Sequence, residues 1–460
     1  MTVQEYFEKL KGKKTAVIGL GISNRPLIRM LLERGIEVEC RDKSSREKLH
    51  PEALELEKMG AVLKLGEDYL EGIEADVVFR TPGLNRNVPQ LRALEEKGTV
   101  ITSEMEAFFE VCPCRIFGVT GSDGKTTTTT LTAKLLEAAG HKVYCGGNIG
   151  TPLLPLADRM KKEDFAVVEL SSFQLMGMRM SPERALMTNL SPNHLDIHKD
   201  MAEYREAKEN IFRWQGKDDI VVLNQDNALT LEMTGYAPGK VMTFSRQGKV
   251  DCGYYLREDN MIVRAVDGVE TEIMDAGRIL IPGVHNIENY MAAFCLTDGL
   301  VGKEEMVTLA ENFGGVAHRI ELFRVKDGVR FYDSSIDSSP SRSIAALRSF
   351  PDKVVMMAGG KDKGIAYDAL GPELRDHVRV LVLTGMTAGK IRAAAEAAEG
   401  YRGDNPIIID VEDFDDAVRV AASQARAGEA VILSPASTSF DRFRNFEERG
   451  QRFKKIVNEL

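Results

Sequence analysis

Arg115-Ile116-Phe117-Gly118-Val119 runs into Thr120-Gly121-Ser122-Asp123-Gly124-Lys125-Thr126-Thr127, a strand, a glycine loop and the start of a helix. Glycines let the backbone curl so that successive N–H groups face an anion, and the helix that follows adds the positive end of its dipole. A lysine placed here reaches the β- and γ-phosphates of a nucleotide, and a threonine hydroxyl joins a Mg²⁺ shell. The strict GxxxxGK[ST] spacing fails by one residue, because Val119 stands where the first glycine belongs and Gly118 lies one step early. A plain turn with an exposed lysine is the competing reading. The strand–loop–helix context and the Gly-Lys-Thr core favour the phosphate loop.

Outward from this loop, strand and helix patterns alternate along the whole chain, which predicts an α/β fold with largely parallel sheets. A chain of 460 residues suggests about three domains. The first, 1–112, opens with Thr15-Ala16-Val17-Ile18-Gly19 and a helical stretch over 25–33. Strands are expected over 36–40 and 75–79, and Ser103-Glu104-Met105-Glu106 has the spacing of a helix start. The second, 113–316, carries apolar runs over 165–170, 185–190 and 220–224, short strands over 240–282 and a helix from about 287. The third, 317–460, holds apolar runs over 354–358, 378–383, 407–410 and 430–434 between alanine-rich helices. The junctions near 112–115 and 313–317 are expected to be hinges.

The first domain has a weaker glycine loop, Gly19-Leu20-Gly21-Ile22-Ser23-Asn24, with Asp42 about 20 residues on, where a ribose-binding acid would stand. Asn24 replaces the third glycine of a dinucleotide fingerprint. An NAD-type cofactor and the diphosphate of a nucleotide sugar both suit it, and so does a plain strand-to-helix turn.

Composition narrows the function. Lys+Arg 60 against Asp+Glu 70 gives a formal charge of −10, which argues against a general binder of nucleic acid or anionic membrane. Hydrophobic residues at 43% and charged residues at 28% exclude intrinsic disorder. No apolar run reaches the ~18–20 residues of a membrane span, and the first residues lack a secretory signal, so a cytoplasmic protein is expected. Six cysteines are scattered, and only Cys112 and Cys114 are close. With no second pair to complete a zinc site, they read as reduced thiols.

Glu169 closes the strand pattern Val167-Val168-Glu169-Leu170-Ser171-Ser172-Phe173-Gln174, and an acid at that position suits a Mg²⁺ ligand. His194 and Asp196 follow another strand end, where a surface histidine is the ordinary case. Lys208, in Glu203-Tyr204-Arg205-Glu206-Ala207-Lys208, reads by itself as a solvated helix lysine. Only assembly around one nucleotide makes these residues a site.

Taken together, the motifs resemble the Mur ligases of peptidoglycan synthesis, over essentially the whole chain. The loop resembles the family's TGTNGKT, with Asp123 where asparagine is usual. Glu169–Leu175 is similar to ELSSFQL, and Gly146-Gly147-Asn148-Ile149-Gly150 to GGNIG. Leu433-Ser434-Pro435-Ala436-Ser437-Thr438-Ser439-Phe440-Asp441, with Phe443, Asn445-Phe446 and Arg449-Gly450, resembles a block that marks the glutamate-adding branch.

The resemblance implies a Rossmann-like N-terminal domain for a UDP-sugar, a central P-loop ATPase domain with a mainly parallel sheet, and a Rossmann-like C-terminal domain for the amino acid. It implies a monomeric, ADP-forming ligase that uses ATP and two Mg²⁺ ions to join D-glutamate to UDP-N-acetylmuramoyl-L-alanine. Gly121, Ser122, Asp123, Gly124, Lys125, Thr126 and Thr127 would then hold the nucleotide with Asn289, Arg319 and Asp333. Asn289 lies in His285-Asn286-Ile287-Glu288-Asn289, which resembles the family's HNxxN. Thr126 and Glu169 would bind one metal, and His194 the other together with a carbamate on Lys208. Lys125, Glu169, His194 and Lys208 would be the catalytic set. Ile22, Ser23, Asp42 and Lys43 would hold the uridine diphosphate, Asn148, Ser171 and Gln174 the sugar–alanine part, and Lys363, Ser439 and Phe446 the glutamate.

One segment departs from the pattern. The family's DSKATN reads Asp333-Ser334-Ser335-Ile336-Asp337-Ser338 here, losing a lysine at Ser335 and a threonine at Asp337. An acid beside a dicarboxylate pocket repels the substrate unless it turns away or meets a cation, with Lys361 and Arg342 in reach by sequence. Three rivals remain: an NAD-dependent oxidoreductase using Gly19–Asn24, a ligase with another acceptor such as folylpolyglutamate synthetase, and a non-catalytic protein of the same fold.

Overall fold

Three β-sheets organise the protein in a computed structural model that describes residues 1–194 and 197–460. The chain divides into two units, Met1–Ala276 with Glu288–Leu309, and Gly277–Ile287 with Ala310–Leu460. Among the described residues no helix is long and apolar enough to cross a membrane.

The first unit contains two sheets. The N-terminal one has five parallel strands in the order Val62–Leu65, Val38–Asp42, Thr15–Ile18, Val77–Arg80, Val100–Thr102. Its inner strands, Thr15–Ile18 and Val77–Arg80, are buried at every position, as expected where helices cover both faces. Strand order reverses between these two, so the loop after Ile18 leaves at the switch point where such sheets bind ligands. The helix Glu104–Val111 begins as its sequence indicates, with the Ser103 hydroxyl accepting from the Glu106 N–H.

The middle sheet has nine strands, running from Val269–Asp275 through Met261–Val266, Gly253–Leu256, Lys240–Ser245, Ile220–Asn224, Arg184–Met187, Arg115–Thr120 and Phe165–Glu169 to Val143–Gly147. All pairings are parallel except the first two, which join Val269–Asp275, Met261–Val266 and Gly253–Leu256. The strand Arg115–Thr120 lies inside this sheet, so the glycine loop is anchored on both sides. One apolar cluster, including Phe108, Leu153, Leu154, Leu170 and Leu175, joins both sheets of this unit. Polar clamps reinforce it. Arg80 is 1% exposed and donates to the carbonyls of Phe173 and Met176 at 2.8 and 2.9 Å. The buried Glu104 carboxylate accepts from the Leu154 N–H at 3.1 Å, and burial pushes its pKa up to about 7.

The second unit is built on a six-stranded sheet ordered Glu321–Lys326, Val329–Asp333, Ala430–Leu433, Val354–Ala358, Val378–Leu383, Ile407–Asp410. Only the first pair is antiparallel. The closing helix, Phe446–Glu459, packs against the first two strands.

Gly450 marks how tightly that helix seats. A Cβ there would lie 2.4 Å from both His318 Nδ1 and Ser335 Oγ, and 2.5 Å from Asp333 Oδ2. Gly450→Ala is therefore expected to destabilise the protein by about 1–3 kcal/mol, the cost of overpacking a close-packed site. Urea denaturation checks this, and an unchanged midpoint would show that the cluster has room to move.

Candidate active site

The glycine loop is held in shape before any nucleotide arrives. Gly121 has φ +145°, and a Cβ there would come within 1.8 Å of Thr188 Oγ1, so only glycine fits. The neighbouring strand end supplies the brackets. Ser122 N donates to Asn189 O at 3.0 Å, Asp123 N to Asn189 Oδ1 at 3.0 Å, and Thr188 Oγ1 to Asp123 O at 2.5 Å. Ser122 Oγ donates to Ser191 O at 2.9 Å. Below the loop, Thr128 Oγ1 donates to Asn289 Oδ1 at 3.2 Å, which places Asn289 under the first turn of the helix Lys125–Ala138. Lys125 folds back, its ammonium donating to Gly121 O at 3.0 Å and Ser122 O at 2.8 Å. Thr126 and Thr127 are half-buried in that first turn.

Lys208 is not the solvated helix lysine its local sequence suggests. It is 1% exposed, and its amine donates to Gly121 O at 2.7 Å and Thr120 Oγ1 at 3.2 Å, directly behind the loop. The reason is helical phase. Tyr204, Ala207, Lys208, Ile211 and Phe212 share the buried stripe of the helix Met201–Arg213, so the side chain has no path to water. Burial, and then the nearby charge of Lys125, push its pKa well below the usual lysine value against the pull of Glu169 and Asp123. A neutral amine at this place is a nucleophile, which an exposed ammonium is not.

Glu169 ends its strand with 1% exposure. Oε1 accepts from Asn148 Nδ2 at 2.7 Å, while Oε2 is buried with no hydrogen-bond partner among the described residues. A buried carboxylate oxygen left bare suits a hard cation. Ser171 and Gln174 form a reciprocal helix cap, with Gln174 N donating to Ser171 Oγ at 3.2 Å and Ser171 N to Gln174 Oε1 at 2.9 Å. His194 is exposed with φ +54° and lies edge-on to the Phe173 ring at 5.1 Å. Asp196 lies outside the described residues. Sequence reasoning missed His198, which stacks on Phe173 at 5.2 Å and shares a hydrogen bond with Ser172 Oγ at 2.9 Å. Burial holds its pKa down, so it stays a neutral packing ring at pH 7.

At the N-terminal switch point, Asp42 is half-buried and shapes the loop. Oδ2 accepts from Leu20 N at 2.7 Å and Oδ1 from Ser44 N at 2.8 Å. Ile22 is 67% exposed at the loop tip, beside the half-buried Ser23. Lys43 is exposed and faces Glu67 at 3.5 Å.

In the second unit, Asp333 is fully buried, with Oδ2 2.7 Å from His318 Nδ1 and Oδ1 accepting from Ser335 N at 2.9 Å. Burial would raise its pKa, but these bonds and the Lys454 ammonium hold it below the usual range. His318, Glu321 and Asp333 bring their ligand atoms within 4.8 Å of one another. Lys454 pairs with both acids, so the cluster already holds a cation of its own. Arg319 is exposed on a tight turn whose neighbours His318 and Ile320 have φ +64° and +45°.

Asp337 turns inward, accepting from Ser434 Oγ at 2.8 Å. Burial raises its pKa to about 6, with Ser334, Ser434, Arg319 and Arg342 opposing. Arg342, one of the two cations suggested by sequence, is among the charges that lower it. Lys363 is exposed, and its ammonium has no ion pair among the described residues. Ser439 is buried and accepts backbone bonds from Arg442 and Phe443. Phe446 sets its ring edge-on to His318 at 5.8 Å. Sequence reasoning gave no role to Arg449, which is 2% exposed and donates to the carbonyls of Ser335 at 2.9 Å and Ser437 at 3.0 Å.

Comparison with known proteins fits this arrangement. Residues 119–297 match the Mur ligase middle domain, and residues 318–437 match the Mur ligase glutamate ligase domain. The chain is 49% identical to the UDP-N-acetylmuramoylalanine–D-glutamate ligase of Acetivibrio thermocellus, over 100% of this chain and 99% of that protein. It is 47% identical to the protein of the same name from Ruminiclostridium cellulolyticum, over the same shares. Among solved structures it resembles a UDP-N-acetylmuramate–alanine ligase from Thermotoga maritima, with TM-score 0.58, 18% identity and coverage of 97% and 99%. A UDP-N-acetylmuramoyl-L-alanyl-D-glutamate–2,6-diaminopimelate ligase gives TM-score 0.56, 19% identity and 92% coverage of each chain. The two structures establish likeness of fold.

The buried amine makes a prediction about stability. Between the depressed folded pKa of Lys208 and its ordinary value of 10.5, the unfolded chain binds a proton that the folded chain does not. Wild-type stability should therefore gain from this group as pH rises toward 10.5. Lys208→Met removes that contribution, so it should melt at or above the wild-type temperature at pH 7 and show a flatter rise with pH. Thermal melts across pH 7–10 check it, and identical slopes would mean the amine is charged when folded.

Proposed function

The chain belongs to the Mur ligase family, and from that premise we propose that it joins D-glutamate to UDP-N-acetylmuramoyl-L-alanine, forming ADP from ATP, in cytoplasmic peptidoglycan-precursor synthesis. The observation that carries this reading is the 49% identity to a ligase of that name along the entire chain. The domains would divide the work as 1–112 for the UDP-sugar, 113–316 for ATP and 317–460 for the amino acid.

The chemistry explains the need for a phosphate loop. A carboxylate resists attack by an amine because oxide is a poor leaving group. An oxygen of the alanine carboxylate attacks the γ-phosphorus of ATP, and ADP departs. The D-glutamate amine then attacks the carbonyl carbon of the acyl phosphate, loses a proton, and the tetrahedral species expels phosphate. Each step concentrates negative charge, which preorganised N–H groups and cations must meet. Gly121–Thr127 supply the N–H groups and Lys125 the cation, once phosphates draw its ammonium off the loop carbonyls.

Mg²⁺ bound here would neutralise phosphate oxygens and draw charge from the phosphorus under attack. Thr126 and Glu169 are the residues to hold one ion, and the bare, buried Glu169 Oε2 supports that choice. A second ion would rest on His194 and a carbamate at Lys208. Carbamylation needs a neutral amine, which the burial of Lys208 favours. The modified nitrogen keeps one N–H, enough to retain a bond to Gly121 O. Asn289 would face the adenine, and Arg319 and Asp333 would serve the nucleotide from the C-terminal domain, Asp333 acting through His318 because its own oxygens are taken. Ile22, Ser23, Asp42 and Lys43 would hold the uridine diphosphate, with Asp42 setting the loop and the exposed Ile22 offering an apolar face. Asn148, Ser171 and Gln174 would line the sugar–alanine end.

At the acceptor end, Lys363 supplies the unpaired cation for the glutamate side chain, with Ser439 and the Phe446 backbone beside it. The inward turn of Asp337, with its bond from Ser434 Oγ, supports an acceptor site that its charge does not face.

ADP release with UDP-N-acetylmuramoyl-L-alanine and a panel of D- and L-amino acids tests the reading. D-Glutamate should give the highest turnover, and a preference for a neutral or cationic amino acid would overturn the assignment. Lys363→Ala should raise the D-glutamate KM roughly tenfold or more, the worth of one charge-assisted bond, while the ATP KM stays nearly constant. Equal effects on both substrates would remove Lys363 from the acceptor site. Lys208→Ala should lose most turnover and recover part of it with added acetate. Near-normal turnover in that variant would leave the lysine without a role.

A further inference from the structure

Three sulfur atoms meet where the N-terminal sheet joins the middle sheet. Cys112 ends the helix Glu104–Val111, and Cys114 directly precedes the strand Arg115–Thr120. Cys112 has extended backbone angles, φ −65° and ψ 119°, and with Pro113 between them the two side chains fall on one side. Their Sγ atoms lie 3.3 Å apart. Met160, directly after the short helix Leu154–Arg159, brings its Sδ to 3.9 Å from each. A triangle with these sides has its centre about 2.2 Å from every sulfur, close to a metal–thiolate bond length. Cys114 is 8% exposed and Met160 6%, while Cys112 is half-buried and leaves an approach from solvent.

We propose that Cys112, Cys114 and Met160 form a three-coordinate site for a soft monovalent metal ion, Cu(I). Two thiols and a thioether are the ligands that select Cu(I) among first-row ions. Zn²⁺ would require a fourth donor, and among the described residues no His, Asp or Glu joins the two cysteines within 4.8 Å. Each thiol gives its proton to solvent as the ion enters. The bound ion would tie together the last helix of the first sheet's layer, the first strand of the middle sheet and the turn carrying Met160. Binding to the folded chain alone would raise the melting temperature.

The test titrates the full-length, reduced protein with Cu(I), supplied as its acetonitrile complex, against bicinchoninate as competing chelator. One ion per chain should be retained. Cys112→Ser and Cys114→Ser should each weaken retention by about a hundredfold or more, since even the groups behind metal ligands are worth roughly 10–100-fold. Met160→Leu keeps the packing and should weaken it by about tenfold. X-ray absorption on the wild-type complex should show three sulfur neighbours, a readout that does not depend on how the variants fold. Retention unchanged by Cys112→Ser, two sulfur neighbours only, or formation of a Cys112–Cys114 disulfide without metal retention would each overturn the proposal. So would tighter retention of Zn²⁺ than of Cu(I).

Discussion

The arrangement depends on one buried amine. Lys208 Nζ sits behind the glycine loop, bonded to Gly121 O and Thr120 Oγ1 and shut off from the surface. Burying a lysine is costly, and a lysine so placed is driven toward its neutral form. Everything around it follows from that constraint. The strand Arg115–Thr120 must lie inside the sheet for Thr120 to point at the amine. The loop must be glycine at 121 to press against Thr188, and Lys125 must be able to leave when phosphates arrive. The protein accepts a destabilising group here, the usual signature of a position kept for chemistry.

The second unit uses a different device, giving its buried charges partners. Asp333 is held by His318, Ser335 and Lys454, and Arg449 spans the carbonyls of Ser335 and Ser437. Arg449 thereby joins the segment that departs from the family pattern to the segment carrying Ser439. Burial lowers the Arg449 pKa to about 10, which leaves it charged at neutral pH. The loss of the family's lysine at Ser335 has a structural counterpart. Ser335 Oγ sits 3.1 Å from His318 Nδ1, so the serine that replaces it joins the cluster around Asp333.

Much of this was legible in the sequence, and the exceptions have physical reasons. The continuous apolar runs gave the inner strands, because strands covered on both faces cannot alternate. Val62–Leu65 alternates exposed with half-buried residues at a sheet edge, and Val143–Gly147 ends in two glycines, so neither stands out as an apolar run. The hairpin Glu321–Lys326 with Val329–Asp333 is rich in charge and also escaped. The glycine loop was legible from its Gly-Lys-Thr core and its place between a strand and a helix, although its spacing misses the strict pattern by one residue. The burial of Lys208 was legible too, had its spacing from Tyr204, Ala207, Ile211 and Phe212 been weighed above its charge. The brackets Thr188 and Asn189, the clamp Arg80 and the support Arg449 were not, since each acts on backbone atoms far away in sequence.

The central claim is that the amine behind the loop is neutral and takes up carbon dioxide. Carbon-13 NMR of the wild-type protein in ¹³C-bicarbonate, beside Lys208→Met, tests it most directly. The account predicts a carbamate resonance in the wild type that is missing from Lys208→Met. A wild-type spectrum free of that resonance, or one retained by the variant, would contradict it.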